Sequence, residues 1–277
     1  MQRRYLVVDV FGARAFSGNP VAVVADAEGL STEAMQRIAS WTNLSETTFL
    51  LPADVEGADY SVRIFTTTTE LPFAGHPTLG AARAWLEHGN LARTPGCVVQ
   101  SCAAGLVKVF EQPGGALAFE APPLLRSGPL SSAELQACTM ALGLEAHQVL
   151  DGAWVDNGPG WCAVLVESVE TLHSLAVPSG VQKLGAVALG VPQGTPAYEL
   201  RAFFPSSTGT TEDPVTGSLN ASVAQWLCGA GLVQPPYQVH QGAALGREGI
   251  IEVTESAAGA LLVGGQTAVV VRGTLEA

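Results

Sequence analysis

The chain repeats itself at a long period, and this repeat constrains the fold more than any other feature. YSVRIF at residues 60–65 matches YELRAF at 198–203, an offset of 138 positions. A second match, at an offset of 141 positions, joins the Ala-Val-apolar runs within GNPVAVV (18–24) and GPGWCAVLV (158–166). A third, also at 141, joins the Trp-Leu pairs that end GAARAWL and ASVAQWL. Three matches in one order at nearly one offset indicate duplication. A period this long predicts two similar domains rather than a solenoid.

The predicted halves are residues 1–122 and 123–277, with the last strand allowed to return to the first half. The Pro-rich stretch EAPPLLRSGPLSS at 120–132 marks the join. An apolar strand opens each half (YLVVDVF and WCAVLVES), and an alternating strand, a Gly-containing turn and an apolar helix follow. A helix that is apolar on nearly all sides is normally buried. Each half is therefore predicted to be mostly β structure around one central helix.

Shorter patterns add further elements. VKVFEQPGGALAFEAP (107–122) predicts a hairpin that turns at Pro113-Gly114-Gly115. GIIEVTE and TAVVVRGTL predict strands near the end of the sequence. STEAMQRIASW predicts a short amphipathic helix with Met35 and Ile38 on one face.

Composition excludes several classes of protein. Hydrophobic residues make up 47% of the chain, so there is ample material for a core, and the net charge of −12 argues against a nucleic-acid surface. No run approaches 18 apolar residues, which argues against a membrane span. The five cysteines are odd in number and form no CxxC pair. We therefore expect free thiols in a cytoplasmic protein.

Both central helices begin at glycine-containing motifs, GHP at 75–77 and TGS at 216–218. Pro77, near the first helical position, pre-sets its φ and gives up an amide that would lack a partner there, and Ser218 suits an N-cap. A helix N-terminus presents free amides and about half a positive charge. Two such N-termini facing one cleft would hold a carboxylate without an arginine.

Carboxylates near these helix starts are candidates for acid–base chemistry. Glu46 lies in an otherwise uncharged stretch beside Leu44 and Phe49, where partial desolvation would raise its pKa towards a useful value. Asp213 and Glu212 precede the second helix, and an Asp-Pro pair is also common in plain turns. We assign Glu212 to a turn. A histidine at a helix start is more often a cap or a satisfied core residue, but the combination of His76, Glu46, Asp213 and the repeat favours a site.

The sequence resembles the PhzF family, which comprises the phenazine-biosynthesis isomerase and its relatives. The resemblance is carried by DVFGARAFSGNPVAVV, NLSETTF, RIFTTTTELPFAGHPTLGAA, NGP at 157–159 and FFPSSTGTTEDPVTGS, which occur in family order over essentially the whole chain. It implies an α/β (α+β) fold of the diaminopimelate-epimerase type. Such a fold has two pseudo-symmetric halves, each a barrel-like β-sheet around a central hydrophobic helix, with the active site between them.

The same resemblance implies roles for particular residues. The family's catalytic glutamate, histidine and aspartate fall on Glu46, His76 and Asp213. Its contacts to the substrate carboxylate fall on Ser45, Gly75, Gly217 and Ser218. Related racemases use paired cysteines, whereas this chain has Ala74 before the GHP motif and no cysteine near Gly217. A two-thiol racemase is therefore disfavoured. The recurring Arg63 and Arg201 are expected to have a structural role at the contact between domains.

The expected function is that of a cofactor-independent isomerase that moves a proton within a small carboxylate-bearing metabolite. Glu46 would be the general acid/base, and no metal site is predicted because the histidines and cysteines lack ligand spacing. Two alternatives stay open: a non-thiol epimerase or racemase, and a non-catalytic metabolite-binding protein of the same fold. We expect a cytoplasmic homodimer that binds neither nucleic acid nor membrane. The sequence does not name the substrate.

A geometric expectation follows from this assignment. Glu46, His76 and Asp213 should converge on one cleft between the halves, within roughly 10 Å of one another. Each group must reach one small ligand at about hydrogen-bonding distance.

Overall fold

The computed structural model describes residues 1–190, 195–206 and 209–277, and these residues form two compact units. The first unit contains Met1–Glu120 and Gly264–Ala277, and the second contains Ala121–Val263. The chain leaves the first unit at the start of the Pro-rich stretch. The end of the chain, Gly264–Ala277, clusters with the first unit.

The elements alternate between many short strands and a few helices. Up to Glu120 the chain forms β1 (Gln2–Val10), β2 (Asn19–Val24), α1 (Thr32–Thr42), β3 (Glu46–Leu51), β4 (Tyr60–Thr66), β5 (Glu70–Leu71), α2 (Gly75–Glu87), β6 (Cys97–Cys102), β7 (Gly105–Glu111) and β8 (Leu117–Glu120). The later elements are β9 (Arg126–Pro129), α3 (Ser132–Ala141), β10 (Val149–Asp156), β11 (Cys162–Val166), α4 (Val169–Ser174), β12 (Leu184–Leu189), β13 (Tyr198–Ser206), β14 (Gly209–Asp213), α5 (Gly217–Gly229), β15 (Tyr237–Gln241), β16 (Gly249–Glu255), β17 (Leu261–Gly265) and β18 (Thr267–Glu276).

Strand pairing follows the same plan in both units. In the first unit β18, β1, β2, β3, β4, β6, β7 and β8 pair in that order, with β5 also on β4. In the second unit β9, β10, β11, β12, β13, β15 and β16 pair in that order, with β14 also on β13. The parallel pairs are β2–β3 and β4–β6 in the first unit and β11–β12 and β13–β15 in the second. The repeat in the sequence is thus a repeat of topology, and the predicted fold class is confirmed.

The two central helices are buried, as their apolar sequences predict. In α2 the run from Gly75 to Ala82 is buried, and strands β1, β2, β3, β7, β8 and β18 of its unit contact the helix. A Cβ on Gly80 would lie 2.2 Å from Cγ1 of Val21, so a glycine is required for the close approach of α2 to β2. In α5 most residues from Gly217 to Ala224 are buried. Each helix start is therefore held by a packed core.

Several local predictions are confirmed. The hairpin forms from β7 and β8 around the turn at residues 113–115, and GIIEVTE forms β16. The amphipathic helix is α1, with Met35 buried and Ser31 as N-cap. TAVVVRGTL forms β18, which pairs antiparallel with β1.

One strand assignment is wrong. We expected WCAVLVES to open the second half as the counterpart of YLVVDVF, but it forms β11, whose counterpart is β2. The strand that corresponds to β1 is β10, VLDGAWVD. Its apolar pattern is interrupted by Asp151 and Gly152, which hides it from a search for continuous apolar runs.

In the part of the chain that the structure describes, no helix is long and apolar enough to cross a membrane.

Candidate active site

Glu46 is the first residue of β3, and its position is fixed by the end of α1. Asn43 ends that helix in the left-handed conformation (φ 56°), which asparagine tolerates, and the chain then turns into the strand. Beside Glu46, the hydroxyls of Thr47 and Thr42 are 2.9 Å apart. Across the sheet Glu46 pairs with Thr66, whose carbonyl accepts a hydrogen bond from Gln36 Nε2 at 2.9 Å. These contacts fix the backbone at the start of β3, where Glu46 lies.

His76 is the second residue of α2, and it points its imidazole at Glu46. Its Nε2 lies 3.3 Å from Glu46 Oε2, with the side chains 5% and 16% exposed. The approach is not aligned as a hydrogen bond, and His76 Nε2 has no hydrogen-bond partner among the described residues. A buried nitrogen in this state retains its capacity to bond to a ligand.

Burial decides the charge of this histidine. Desolvation lowers the pKa of His76 from its ordinary value of 6.5 to about 3. The imidazole is therefore neutral at neutral pH, and it offers either a proton or a lone pair at Nε2. The pair is a carboxylate beside a neutral imidazole at the positive end of a helix.

Asp213 closes β14 in the second unit, directly before α5. Its Oδ2 accepts a hydrogen bond of 2.6 Å from the hydroxyl of Thr216, which is the N-cap residue of α5. Gln241 Nε2 donates to the carbonyl of Asp213 and to the Thr216 hydroxyl, both at 3.0 Å. Its Oε1 accepts from the Thr216 amide and from Asn220 Nδ2. A buried network thus orients Asp213 at the helix start.

Ser218 is not the N-cap that we expected, since Thr216 occupies that position. Ser218 is the second residue of α5, and its Oγ accepts a hydrogen bond of 3.1 Å from Trp161 Nε1. Its carbonyl accepts one of 2.9 Å from Asn157 Nδ2. Because an indole N–H only donates, the Ser218 hydroxyl keeps its own hydrogen for another acceptor. The NGP motif at 157–159 therefore supports the start of α5.

Pro77 is the third residue of α2, in the first turn of the helix. Gly75 and Gly217 are buried first residues of their helices, and Ser45 lies half-buried just before β3. Residues 207 and 208 of the motif at 203–218 lie outside the described residues.

Glu212 is not a turn residue. It lies on β14 and forms a two-pronged ion pair with Arg201, in which Nε and Nη2 bond to the two carboxylate oxygens at 2.9 and 2.6 Å. Arg63 forms the same pair with Glu70 in the first unit. Each arginine therefore has a structural role within its own unit.

The structure places the predicted site residues in two groups. Glu46 and His76 lie together in the first unit, with Ser45 beside Glu46 and Gly75 beside His76 in the chain. Asp213, Gly217 and Ser218 lie together at the start of α5 in the second. Among residues 1–190, 195–206 and 209–277, no three His, Cys, Asp or Glu side chains form a group that could hold a metal ion.

Sequence reasoning missed several residues that organise these groups. Thr216, Gln241 and Trp161 were assigned no role, although Thr216 belongs to the TGS motif. The only available signal was that a threonine before a helix is a common N-cap. Gln241 lies on β15, far from α5 in sequence, and only the folded sheet brings it there.

Comparison with known protein families gives a match over nearly the whole chain. The model of the PhzC-PhzF family, described as phenazine biosynthesis-like protein, matches residues 8–273. The chain belongs to this family.

The similar proteins that follow cover most of this chain. Antisense-enhancing sequence 1 of Schizosaccharomyces pombe is 34% identical, with 96% of each chain covered. Trans-2,3-dihydro-3-hydroxyanthranilate isomerase of Pseudomonas fluorescens is 32% identical, with 89% of this chain and 88% of that protein covered. A solved structure of a predicted epimerase from Pseudomonas aeruginosa has a TM-score of 0.79 and 28% identity, with 99% of both chains covered. The predictions of a PhzF-like protein and of an isomerase are confirmed.

Proposed function

We propose that this PhzF-family protein is a cofactor-independent isomerase that moves a proton within a small carboxylate-bearing metabolite. Glu46 is the general acid/base, and His76 and Asp213 assist. The observation that carries the proposal is the contact between Glu46 and His76, two groups of one unit that are distant in sequence and 3.3 Å apart in the fold.

The protonation state of the His76 imidazole supports these roles. A histidine whose pKa lies near 3 is a poor acceptor of a proton at neutral pH, because its neutral form is strongly favoured. The carboxylate of Glu46 is then the group that takes a proton from a carbon beside an unsaturated system and returns it to another carbon. The neutral imidazole hydrogen-bonds to a substrate heteroatom. No proton or electron is gained or lost overall, so the reaction requires no redox partner.

The start of α5 supplies the features of a carboxylate-binding region. Buried Gly217 and the Ser218 hydroxyl offer donors at the positive end of a 13-residue helix. Trp161 leaves the Ser218 hydroxyl hydrogen available to a ligand. In the proposed reaction these donors, together with Ser45 and Gly75, hold the substrate carboxylate, and Asp213 manages a proton on a heteroatom. Convergence of both groups on one ligand remains a prediction.

Epimerisation is a second candidate function, and the predicted epimerase of similar structure favours it. It would return the proton to the carbon from which it came, on the opposite face. A non-catalytic binding protein has less need of both a carboxylate and an adjacent imidazole.

A screen in heavy water tests the proposal without a guess about the product. Small cyclic carboxylates are incubated with the protein and followed by NMR and mass spectrometry. Trans-2,3-dihydro-3-hydroxyanthranilate, the compound in the relative's name, is included. We expect deuterium at a new carbon together with a shifted double bond. Deuterium at the original carbon with inverted configuration would instead indicate an epimerase.

The same screen tests independence from a metal. We expect exchange to persist after treatment with a chelator and dialysis, because carboxylate and imidazole suffice for the proton transfer. Complete loss that is restored by adding a divalent metal would contradict this part of the proposal.

A further inference from the structure

Two cysteines of the second unit lie in contact although no bond joins them. Cys138 is on α3 and Cys162 begins β11, and their Sγ atoms are 3.9 Å apart. The sulfur atoms of a disulfide are about 2.05 Å apart, so closure requires an approach of about 2 Å. Leu130, Leu135 and Leu142 pack in the same apolar cluster as the two cysteines. The two elements are therefore already held together.

The two thiols differ in exposure and in acidity. Cys138 is half-buried, whereas Cys162 is buried. The contact with the Cys162 thiol, which can donate to a Cys138 thiolate, lowers the pKa of Cys138, and this outweighs its burial and the nearby charge of Glu134. The same contact and burial raise the pKa of Cys162. Cys138 is thus the sulfur that ionises, and Cys162 keeps its proton.

We propose that Cys138 and Cys162 form a reversible oxidation site that reacts with a peroxide to give a disulfide between α3 and β11. In the first step the Cys138 thiolate attacks a peroxide oxygen. The S–O bond forms, the O–O bond breaks and hydroxide leaves, so sulfur loses two electrons and the peroxide is reduced. In the second step the sulfur of Cys162 attacks that of Cys138. The S–O bond breaks, and water leaves with the proton of Cys162. A small thiol reverses the bond by exchange.

The position of this pair links it to the candidate site. Cys162 directly follows Trp161, whose indole orients the Ser218 hydroxyl. A disulfide at Cys162 would therefore restrain the neighbouring Trp161, which bonds to Ser218, a predicted substrate contact.

The test counts thiols in the purified, fully reduced chain before and after a brief treatment with hydrogen peroxide. Denatured samples are titrated with a thiol reagent and mapped by peptide mass spectrometry without reduction. We expect the five free thiols to fall to three, with one peptide pair joined through Cys138 and Cys162 and the mass of the chain lower by two hydrogens. Dithiothreitol should restore all five. Retention of five thiols, a bond between two chains, or loss at other cysteines would overturn the proposal.

Cysteine variants distinguish the roles of the two sulfur atoms. Cys97→Ser, on β6 of the first unit, is the matched control and should lose two of its four thiols. Cys138→Ser should lose none at the same dose. Cys162→Ser should instead accumulate a sulfenic acid at Cys138 that a 1,3-dione traps. An unchanged loss of two thiols in Cys138→Ser would refute the assignment. If a variant does not fold, the peptide map of the unaltered chain still decides.

Discussion

The same ion pair occurs in both units, but only one copy is buried. Arg63 and Glu70 approach to 2.6 Å with side chains 29% and 35% exposed. Arg201 and Glu212 also approach to 2.6 Å, with side chains 6% and 2% exposed. The buried arginine donates as well to the carbonyl of Leu172 in α4 and to that of Leu175, just after α4. Duplication has preserved the contact, while burial has changed what it contributes to the fold.

The neighbours of the two pairs have diverged in chemistry. The strand register places Leu71 opposite Ile64 in the first unit and Asp213 opposite Ala202 at the corresponding point of the second. His76 and Ser218 are the second residues of their central helices. The first unit thus carries a carboxylate beside an imidazole, and the second a carboxylate bonded to a hydroxyl. The two units thus share one backbone arrangement but carry different polar side chains at corresponding positions.

Among effects on stability, the largest is expected at the buried pair. Glu212→Gln leaves the guanidinium of Arg201 buried without its counter-charge, which typically costs about 3–5 kcal/mol. Urea unfolding of the variant and of the parent protein measures this difference. A loss below about 1 kcal/mol would show that burial has not changed the role of the pair.

His76 should give the first unit a sensitivity to acid that Ser218 cannot give the second. Since its folded pKa is about 3 and its unfolded pKa about 6.5, the unfolded chain binds more protons between these values. This histidine therefore removes stability as pH falls from 6.5 towards 3, by at most about 1.4 kcal/mol per pH unit.

The variant His76→Asn removes that titration. Urea unfolding at several pH values between 4 and 7 should show a shallower decline for the variant than for the parent, whatever the difference at neutral pH. Parallel declines would mean that His76 is not kept neutral by the fold.

The smallest effect is expected at the exposed pair. Glu70→Gln is the matched substitution to Glu212→Gln, but water solvates the guanidinium of Arg63 once its partner is neutral. We expect a change of about 0.2–1 kcal/mol in the free energy of unfolding, and less in high salt. Equal losses in the two variants would remove the contrast between the units.

The repeat and the apolar periodicity predicted two halves of mostly β structure, each around a central helix that starts at a glycine-containing motif. The fold type itself was implied by the family resemblance. The sequence did not predict the burial of Glu212. Glutamate is rarely buried unless it is paired, and its partner is chosen by the register of β13 on β14. The N-cap of α5 was misplaced because threonine and serine both suit that role.

The candidate site was predicted unevenly for the same reason. The prediction of acid–base chemistry at Glu46 and His76 drew on their residue types and the family motifs, and the fold places these two side chains in contact. Gln241 and Trp161 have no motif of their own, because their roles come from tertiary contacts. Residues that orient a site through the fold are invisible to local patterns.

The most direct test of the account is the rate of deuterium transfer from heavy water, measured with Glu46→Gln on a substrate found by the screen. Glutamine keeps the shape of the side chain but cannot accept the proton, so we expect a loss of about 10²–10⁴-fold. Glu70→Gln, the same change elsewhere in the first unit, should keep the parent rate. A rate near that of the parent protein in Glu46→Gln would show that Glu46 is not the base.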